Sequence, residues 1–411
     1  MFDVTVAQKD LRQALALVGK VADTKSPIPA LACVRAEVRD GNLRLEAFDN
    51  ITKIGVSIPL AEKSNGSNST MLLPNVFISF SEVMPSGLVN VYSDSDRGPV
   101  AVMRGVAHVR KFTSPTIPEY DWPSGVADTE TKSFSVSVPV RKLLPLLKPL
   151  HTYSDDRYGA KVAFNLGNVT RMAMDGSRIF YGTEPIDVRD GGTFIFGKAS
   201  LKLFSKMLEN ADPEDDVEMT VFTKANGTLM FVGSTKDHWI RFALLAQFPE
   251  IANNIPKKWP IRVTCDRLEL LDKIRAATTA LEPREARETR VVFCPDGMMK
   301  LGTRCPADVS RKNNDPENFQ FVDQIQTEMQ GFAWSDKTAS KAKAAPQYVQ
   351  IAIDPDFFRD AVEFISTEKV RILADLVNPD ELGVLFVPED HDFAKTPTES
   401  PSIQYVMLRR L

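Results

Sequence analysis

Three stretches alternate apolar and polar positions and then pass directly into a leucine-rich pattern with helical spacing. They are Phe2-Asp3-Val4-Thr5-Val6-Ala7, Phe134-Ser135-Val136-Ser137-Val138-Pro139 and Ile261-Arg262-Val263-Thr264-Cys265-Asp266. Alternation with period two predicts a strand with one buried face, and apolar residues three and four apart predict the amphipathic helix that follows. Copies starting at residues 2, 134 and 261 divide the 411 residues into three domains, 1–128, 129–258 and 259–411. A weaker echo begins at Thr70, Thr193 and Tyr348, near the middle of each domain. The pattern therefore predicts six helices, over residues 7–20, 74–84, 140–151, 198–209, 266–275 and 355–365. Pro145 and Pro149 predict that the third is short or kinked.

The segment after each opening helix also alternates. Residues 34–48 do so around Asp40-Gly41, a two-residue hairpin signal, and residues 161–174 and 290–301 repeat the arrangement. One helix followed by hairpins predicts an α+β class with antiparallel sheets, not alternating βαβ units. The long polar stretch from about Pro306 to Pro346 enlarges the third domain and predicts a mobile insertion there.

Composition removes several alternatives. With 43% hydrophobic residues the chain can bury several cores, and no run of eighteen apolar residues predicts a membrane span. Met1 leads straight into the first strand without room for a secretion signal, so a cytoplasmic location is expected. Cys33, Cys265, Cys294 and Cys305 follow neither disulfide-framework nor CxxC spacing. His108, His151, His238 and His391 stand singly, which predicts no metal site, and the acidic run at residues 212–216 contains a proline and reads as a solvated turn. The chain lacks GxGxxG, GxxxxGK[ST] and GxSxG motifs and any coherent set of nucleophile, base and metal ligands. A scaffold is expected, without enzymatic activity and without a cofactor.

The net charge of −4 argues weakly against a nucleic-acid partner, but its distribution argues the other way. The six predicted helices hold 13 Lys or Arg and 9 Asp or Glu, a balance of +4, leaving −8 on the rest. In the fourth, Lys198, Lys202 and Lys206 fall on one face and Leu201, Leu203, Phe204, Met207 and Leu208 on the other. Lys9, Arg12 and Lys20 bias the first helix, and Arg141, Lys142 and Lys148 the third; the second and sixth lack this bias. Such stripes fit either a solvated surface or one that faces phosphates.

Several motifs, in order along nearly the whole chain, carry a family resemblance. They are residues 155–158 (Asp-Asp-Arg-Tyr), 174–179 (Met-Asp-Gly-Ser-Arg-Ile), 248–251 (Phe-Pro-Glu-Ile), 117–123 at the end of the first domain, and the terminal 405–411. In these the chain resembles the bacterial DNA polymerase III β subunit, the sliding-clamp family. The resemblance implies a ring-forming DNA clamp fold, three repeated domains with antiparallel sheets outside and two helices per domain inside. Two subunits would close head to tail as a homodimer around double-stranded DNA, held by topology without sequence preference. Lys25, Tyr158 and Lys198 match inward, DNA-contacting positions, although Tyr158 also fits a core role. Phe112 and Leu281 match positions that meet across the dimer interface.

The resemblance further implies a groove that receives a short peptide from the replicative DNA polymerase, the clamp loader and other clamp-binding proteins. Its matching positions are Ala160, Met174, Gly176, Ser177, Arg178, Ile179, Pro249, Asp354, Phe357, Val406, Met407, Leu408, Arg409 and Leu411. Apolar members would take hydrophobic anchors, Gly176 would permit close backbone approach, and Arg178 would act as a polar clamp. Met407 and Leu408 also fit an ordinary last strand. Ser177 stands where the family usually has His, Leu408-Arg409 replace Pro-Met, and Asn253 replaces a basic residue. These departures leave open a specialised phage, plasmid or resistance-associated relative with altered partner choice.

Overall fold

The computed structural model describes residues 2–62, 69–94, 100–107, 110–117, 122–123, 130–188, 190–251, 259, 261–279, 289–294, 297–304, 319–330, 349–374, 383–391 and 402–407. Six times among them a strand runs directly, or across one linking residue, into a helix. The pairs are β1 (Asp3–Ala7) with α1 (Gln8–Val18), β5 (Thr70–Pro74) with α2 (Val76–Val83), and β9 (Glu130–Pro139) with α3 (Val140–Tyr153). They continue as β13 (Gly192–Phe196) with α4 (Lys198–Asn210), β17 (Ile261–Asp266) with α5 (Arg267–Thr279), and β22 (Val349–Ile353) with α6 (Pro355–Glu363).

Each helix is followed by three strands. These are β2 (Cys33–Arg39), β3 (Asn42–Phe48) and β4 (Lys53–Pro59); β6 (Leu88–Asp94), β7 (Val100–Gly105) and β8 (Lys111–Pro115); and β10 (Ala160–Asn165), β11 (Asn168–Met174) and β12 (Arg178–Pro185). The later sets are β14 (Asp216–Lys224), β15 (Leu229–Ser234) and β16 (His238–Ala243); β18 (Thr289–Phe293), β19 (Met298–Arg304) and β20 (Phe319–Gln326); and β23 (Lys369–Ala374), β24 (Gly383–Pro388) and β25 (Ser402–Met407). A short extra strand, β21 (Glu328–Gln330), follows β20. The repeated unit is thus strand, helix and three strands, an α+β architecture.

The chain packs as two compact units, one of Met1–Lys148, Phe164–Leu166 and Val188–Ala246, the other of Pro149–Ala163, Gly167–Asp187 and Gln247–Leu411. The first holds an eight-stranded sheet, β5-β2-β3-β4-β16-β15-β14-β9, and a four-stranded sheet, β1-β6-β7-β8. The second holds the run β11-β12-β25-β24-β23-β17-β21 and the sheet β20-β19-β18-β22. Backbone pairing therefore joins strands from neighbouring sequence copies: β4 pairs with β16 through Ile54 and Ile240, and β12 with β25 through Ile179 and Tyr405. The middle copy contributes to both units.

Local chemistry explains the elements. Asp40 and Gly41 take φ of 51° and 76° between paired Arg39 and Asn42, as a two-residue hairpin turn requires. In α1, Leu11, Ala14, Leu15 and Val18 are buried at helical spacing. Gly19 closes α1, its N–H bonding the Leu15 carbonyl at 2.9 Å, so Lys20 lies just past the helix. A Cβ on Gly19 would stand 2.2 Å from Ile78 Cδ1, which makes glycine the residue that lets α1 and α2 approach. The first unit's core includes Phe194, Phe196, Phe204, Phe231 and Phe242, with Phe196 and Phe231 centroids 5.2 Å apart and nearly perpendicular.

Two expectations require correction. The third helix is not short: α3 runs 14 residues through Pro145 and Pro149. Leu143, Leu147, Leu150 and Tyr153 form a buried stripe along it. Burying each leucine contributes about 1.5–3 kcal/mol, which together offsets roughly 3 kcal/mol per interior proline. The polar stretch near 306–346 is also not wholly an irregular insertion. Its residues 319–330 form β20 against β19 and β21 against β17, with Ile325 buried in the core.

Candidate functional site

In the second unit, β12 presents two different faces because neighbouring strand residues point oppositely. Ile179 and Tyr181 join Ile251, Trp259, Leu373, Leu385, Val387 and Tyr405 in an apolar cluster, with Met172, Met174 and Phe248 packed partly exposed against it. Methionine and aromatic groups at such an edge form an adaptable apolar surface. Adjacent to Tyr405, Val406 is buried on the other face within a separate core.

On the opposite face of β12, Arg178 is nearly buried and holds three partners. Its Nε donates to Asp175 Oδ2 at 2.8 Å, Nη1 to Asp360 Oδ2 at 2.8 Å, and Nη2 to the Thr152 carbonyl at 2.7 Å. The guanidinium carbon lies 4.9 Å from the Tyr153 ring centroid and 4.1 Å from that of Phe357. Burial opposes the charged form, but the hydrogen bonds that Arg178 donates to Asp175 and Asp360 outweigh it and raise the guanidinium pKa above its ordinary value. Burial pushes the Tyr153 phenol well up, with Arg178 opposing that shift. The expected polar clamp is therefore engaged inside the protein.

Turn chemistry places Arg178. Asp175 Oδ1 accepts the backbone N–H groups of Ser177 and Arg178, each at 3.1 Å. Gly176 between them has φ of +84°, which disfavours any residue with a Cβ. Asp354 caps α6 by accepting from the N–H groups of Asp356 at 3.0 Å and Phe357 at 3.4 Å, a structural task for an expected groove residue. Gly176 and Ser177 are exposed, Met174, Pro249 and Phe357 half-buried, and Ala160 and Ile179 buried. Met407 ends β25 opposite Gly383, while Leu408, Arg409 and Leu411 lie outside the described residues.

Sequence reasoning missed Thr152, Tyr153, Asp175 and Asp360 around Arg178, and Tyr181, Phe248 and Tyr405 in the apolar cluster. Asp175 was visible as the first residue of an Asp-Gly turn. Asp360 carried only its spacing, three positions after Phe357 in a helix.

The first unit contains a second concentration of charge. Arg12, Gln13, Ala16, Leu17, Lys20, Glu82, Lys206 and Asn210 line an open groove of about 440 Å³. Arg12 and Lys20 are exposed, and Lys206 pairs with Glu209 at 2.7 Å. The buried side of α4 is Leu201, Phe204, Met207 and Leu208, while Leu203 is half-buried. Lys198 opens α4 and is exposed, and no acidic residue occupies that first turn, although a helix N-terminus disfavours cations. Lys25 is exposed, with its N–H on Asp23 Oδ1 at 3.0 Å. Tyr158 belongs to the second unit, half-buried, with its N–H on Asp155 Oδ1 at 2.7 Å and Arg157 5.1 Å over its ring.

Phe112 lies on β8, the terminal strand of its sheet among the described residues, and stacks on Phe80 with centroids 4.3 Å apart. Val83, Leu88 and Val106 are exposed, and Leu281 lies outside the described residues. No group of three or more His, Cys, Asp or Glu side chains among the described residues is arranged to hold a metal ion. No described helix is long and apolar enough to cross a membrane.

Comparison with known proteins matches this architecture. The family model described as DNA polymerase III beta subunit, N-terminal domain, matches residues 2–126. No curated protein sequence matches the chain. Among solved structures, the DNA polymerase III subunit beta of Pseudomonas aeruginosa superposes with a TM-score of 0.74 at 19% identity, covering 100% of both chains. The beta subunit of Thermotoga maritima gives 0.75 at 20% identity, covering 100% of this chain and 99% of that one. A sliding clamp of Pseudomonas aeruginosa bound to griselimycin gives 0.76 at 19% identity, again covering 100% and 99%. Residues 2–126 thus match the model of the DNA polymerase III beta subunit N-terminal domain, and the chain along its length has the fold of the bacterial beta subunits.

Proposed function

We propose that the chain is a DNA polymerase processivity factor, a sliding clamp that encircles duplex DNA and tethers proteins acting on it. The observation that carries this reading is the six-fold strand-helix-three-strand repeat matching bacterial beta subunits over the full chain. Its task is mechanical, with retention on DNA as the output and no bond made or broken.

The three domains 1–128, 129–258 and 259–411 would each supply two helices to the inside of a homodimeric ring. Lys25, Tyr158 and Lys198 would make weak backbone contacts, joined by Arg12, Lys20 and Lys206 from the α1–α4 groove. Scattered exposed cations suit sliding, because phosphate attraction is sequence-independent and screened by salt. Phe112, stacked on Phe80 in the terminal strand of its sheet among the described residues, supports a dimer contact that includes Leu281 of the second copy. The half-exposed Met172, Met174 and Phe248 support a peptide groove for a replicative polymerase, a clamp loader and other partners. Griselimycin, to which the Pseudomonas aeruginosa clamp is bound, is a ligand to titrate against this chain. Exposed Ser177, where the family usually has His, favours a narrower partner set as a second reading.

Loading on nicked circular DNA tests the function. Retention on the circle and rapid release after linearisation are expected; equal retention on both forms rejects the sliding ring. Sedimentation is expected to give a dimer that Phe112→Asp opens, because the change buries an unpaired charge.

A further inference from the structure

We propose that Arg178 is a positioning residue for the peptide groove, acting on a bound partner through Phe357 and not by touching it. This inference rests on the groove reading above. Arg178 joins three segments that are distant in sequence: the end of α3 through Thr152 and Tyr153, the β11–β12 turn through Asp175, and α6 through Asp360 and Phe357.

Three of its five N–H donors are committed. Nε, Nη1 and Nη2 each have an acceptor within 2.8 Å, and the aromatic rings of Tyr153 and Phe357 both lie against the guanidinium. The acceptors are tied down in turn. Asp175 uses its other oxygen on the turn backbone, and Asp360 Oδ1 accepts from Arg359 Nη2 at 3.0 Å. Arg178 is itself nearly buried, so a partner carboxylate would reach it only by rearranging this packing, which would loosen the cation from a nearly buried carboxylate.

Phe357 is the exit from the network. Its backbone N–H is held by the Asp354 cap, its ring by the guanidinium, and the residue remains half-exposed while packing on the second unit's core. A planar guanidinium can hold two acceptors in its fork and stack on a ring together. A lysine ammonium keeps the charge and loses the plane. The chemistry that Phe357 offers a partner is an apolar ring edge, suited to a large aliphatic or aromatic side chain.

The test uses the full-length protein and a labelled short peptide with two adjacent large apolar residues near its C-terminus, in versions with and without an added Asp. Affinities are measured by fluorescence anisotropy for wild type, Arg178→Lys, Phe357→Ala and the double variant. Each single change is expected to weaken binding about tenfold, and the double no further than Phe357→Ala alone, because coupled residues are non-additive. The preference between neutral and acidic peptides is expected to stay the same in Arg178→Lys. Asp360→Asn, which keeps the side-chain shape, is expected to show the same non-additivity with Phe357→Ala. Losses that multiply to about a hundredfold in the double variant, or an acidic preference lost with Arg178→Lys, overturn the positioning role while leaving the groove intact. Absence of binding by wild type overturns the groove reading and this inference together.

Discussion

Arg178 and the cations of the α1–α4 groove are chemically similar groups in opposite circumstances. Arg178 is enclosed by two carboxylates, a carbonyl and two rings. Arg12 and Lys20 are exposed, and Lys206 pairs with an exposed neighbour on its own helix. Burial converts a charge into a structural joint, because removing it strands its partners in a poor solvent. Exposure leaves it available to a polyanion and nearly irrelevant to folding. One chain thus uses cations to hold a partner surface in shape and, in the proposed function, to attract DNA loosely.

The largest expected effect breaks the joint. Arg178→Met should lower stability by about 3 kcal/mol in urea unfolding, because Asp175 and Asp360 would remain largely enclosed without a cation. Charge reversal at Arg12, Lys20 and Lys206 together should shift the same curve by no more than about 0.5 kcal/mol per site. Similar costs for the two sets would erase the contrast between buried and exposed cations.

Gly176→Ala sharpens the comparison by disturbing the turn that aims Arg178 without touching its charge. The φ of +84° should make alanine cost about 1–2 kcal/mol in thermal unfolding, since the nearest atom to a new Cβ, Tyr158 Cε2 at 3.7 Å, is an ordinary contact. A neutral result would show that the turn relaxes without strain.

In DNA binding the order reverses. Arg12→Gln with Lys206→Gln should weaken binding to short duplexes at low salt and reduce the salt slope by about one for each phosphate no longer neutralised, while Arg178→Lys leaves that slope unchanged. Anisotropy titrations across a salt series provide the measurement. An unchanged slope in the glutamine variant would remove the α1–α4 groove from the DNA-facing surface.

The smallest effect concerns His238, a half-buried group near Asp237 and Asp215. Burial lowers its pKa below the ordinary 6.5, with Asp237 and Asp215 opposing the shift. Below pH 6.5 the unfolded chain binds more protons here than the folded one, so this contribution is complete above that pH and declines as pH falls through the window beneath it. His238→Gln should flatten that part of a stability-against-pH curve. An unchanged curve would assign the acid sensitivity to other groups.

Much of the architecture was legible because it depends on local periodicity. The alternation at residues 2–7, 134–139 and 261–266 and the stripes of α1 and α4 are set by which side chains avoid water within a few residues of one another. The six helices among the described residues and the hairpin at Asp40-Gly41 followed from the same rule. The family motifs added Phe357 and Arg178 as groove positions, yet residue type alone implied that Arg178 would face a partner. Its real surroundings come from Thr152, Asp175 and Asp360, separated from it by up to 182 residues and brought together only when α3, the β11–β12 turn and α6 pack.

The sequence by itself determined the repeat, the strand-helix order, the basic bias of selected helices and the turns that demand glycine. Each depends on interactions reaching only a few positions along the chain. Tertiary structure alone decided that β4 joins β16 and β12 joins β25, that α3 persists through two prolines, and that residues 319–330 form strands in two sheets. It also decided which cations are joints and which are free to act. Pairing energy, solvent exclusion and the strength of a charge depend on neighbours in space, and these are defined only after the distant segments have closed on one another.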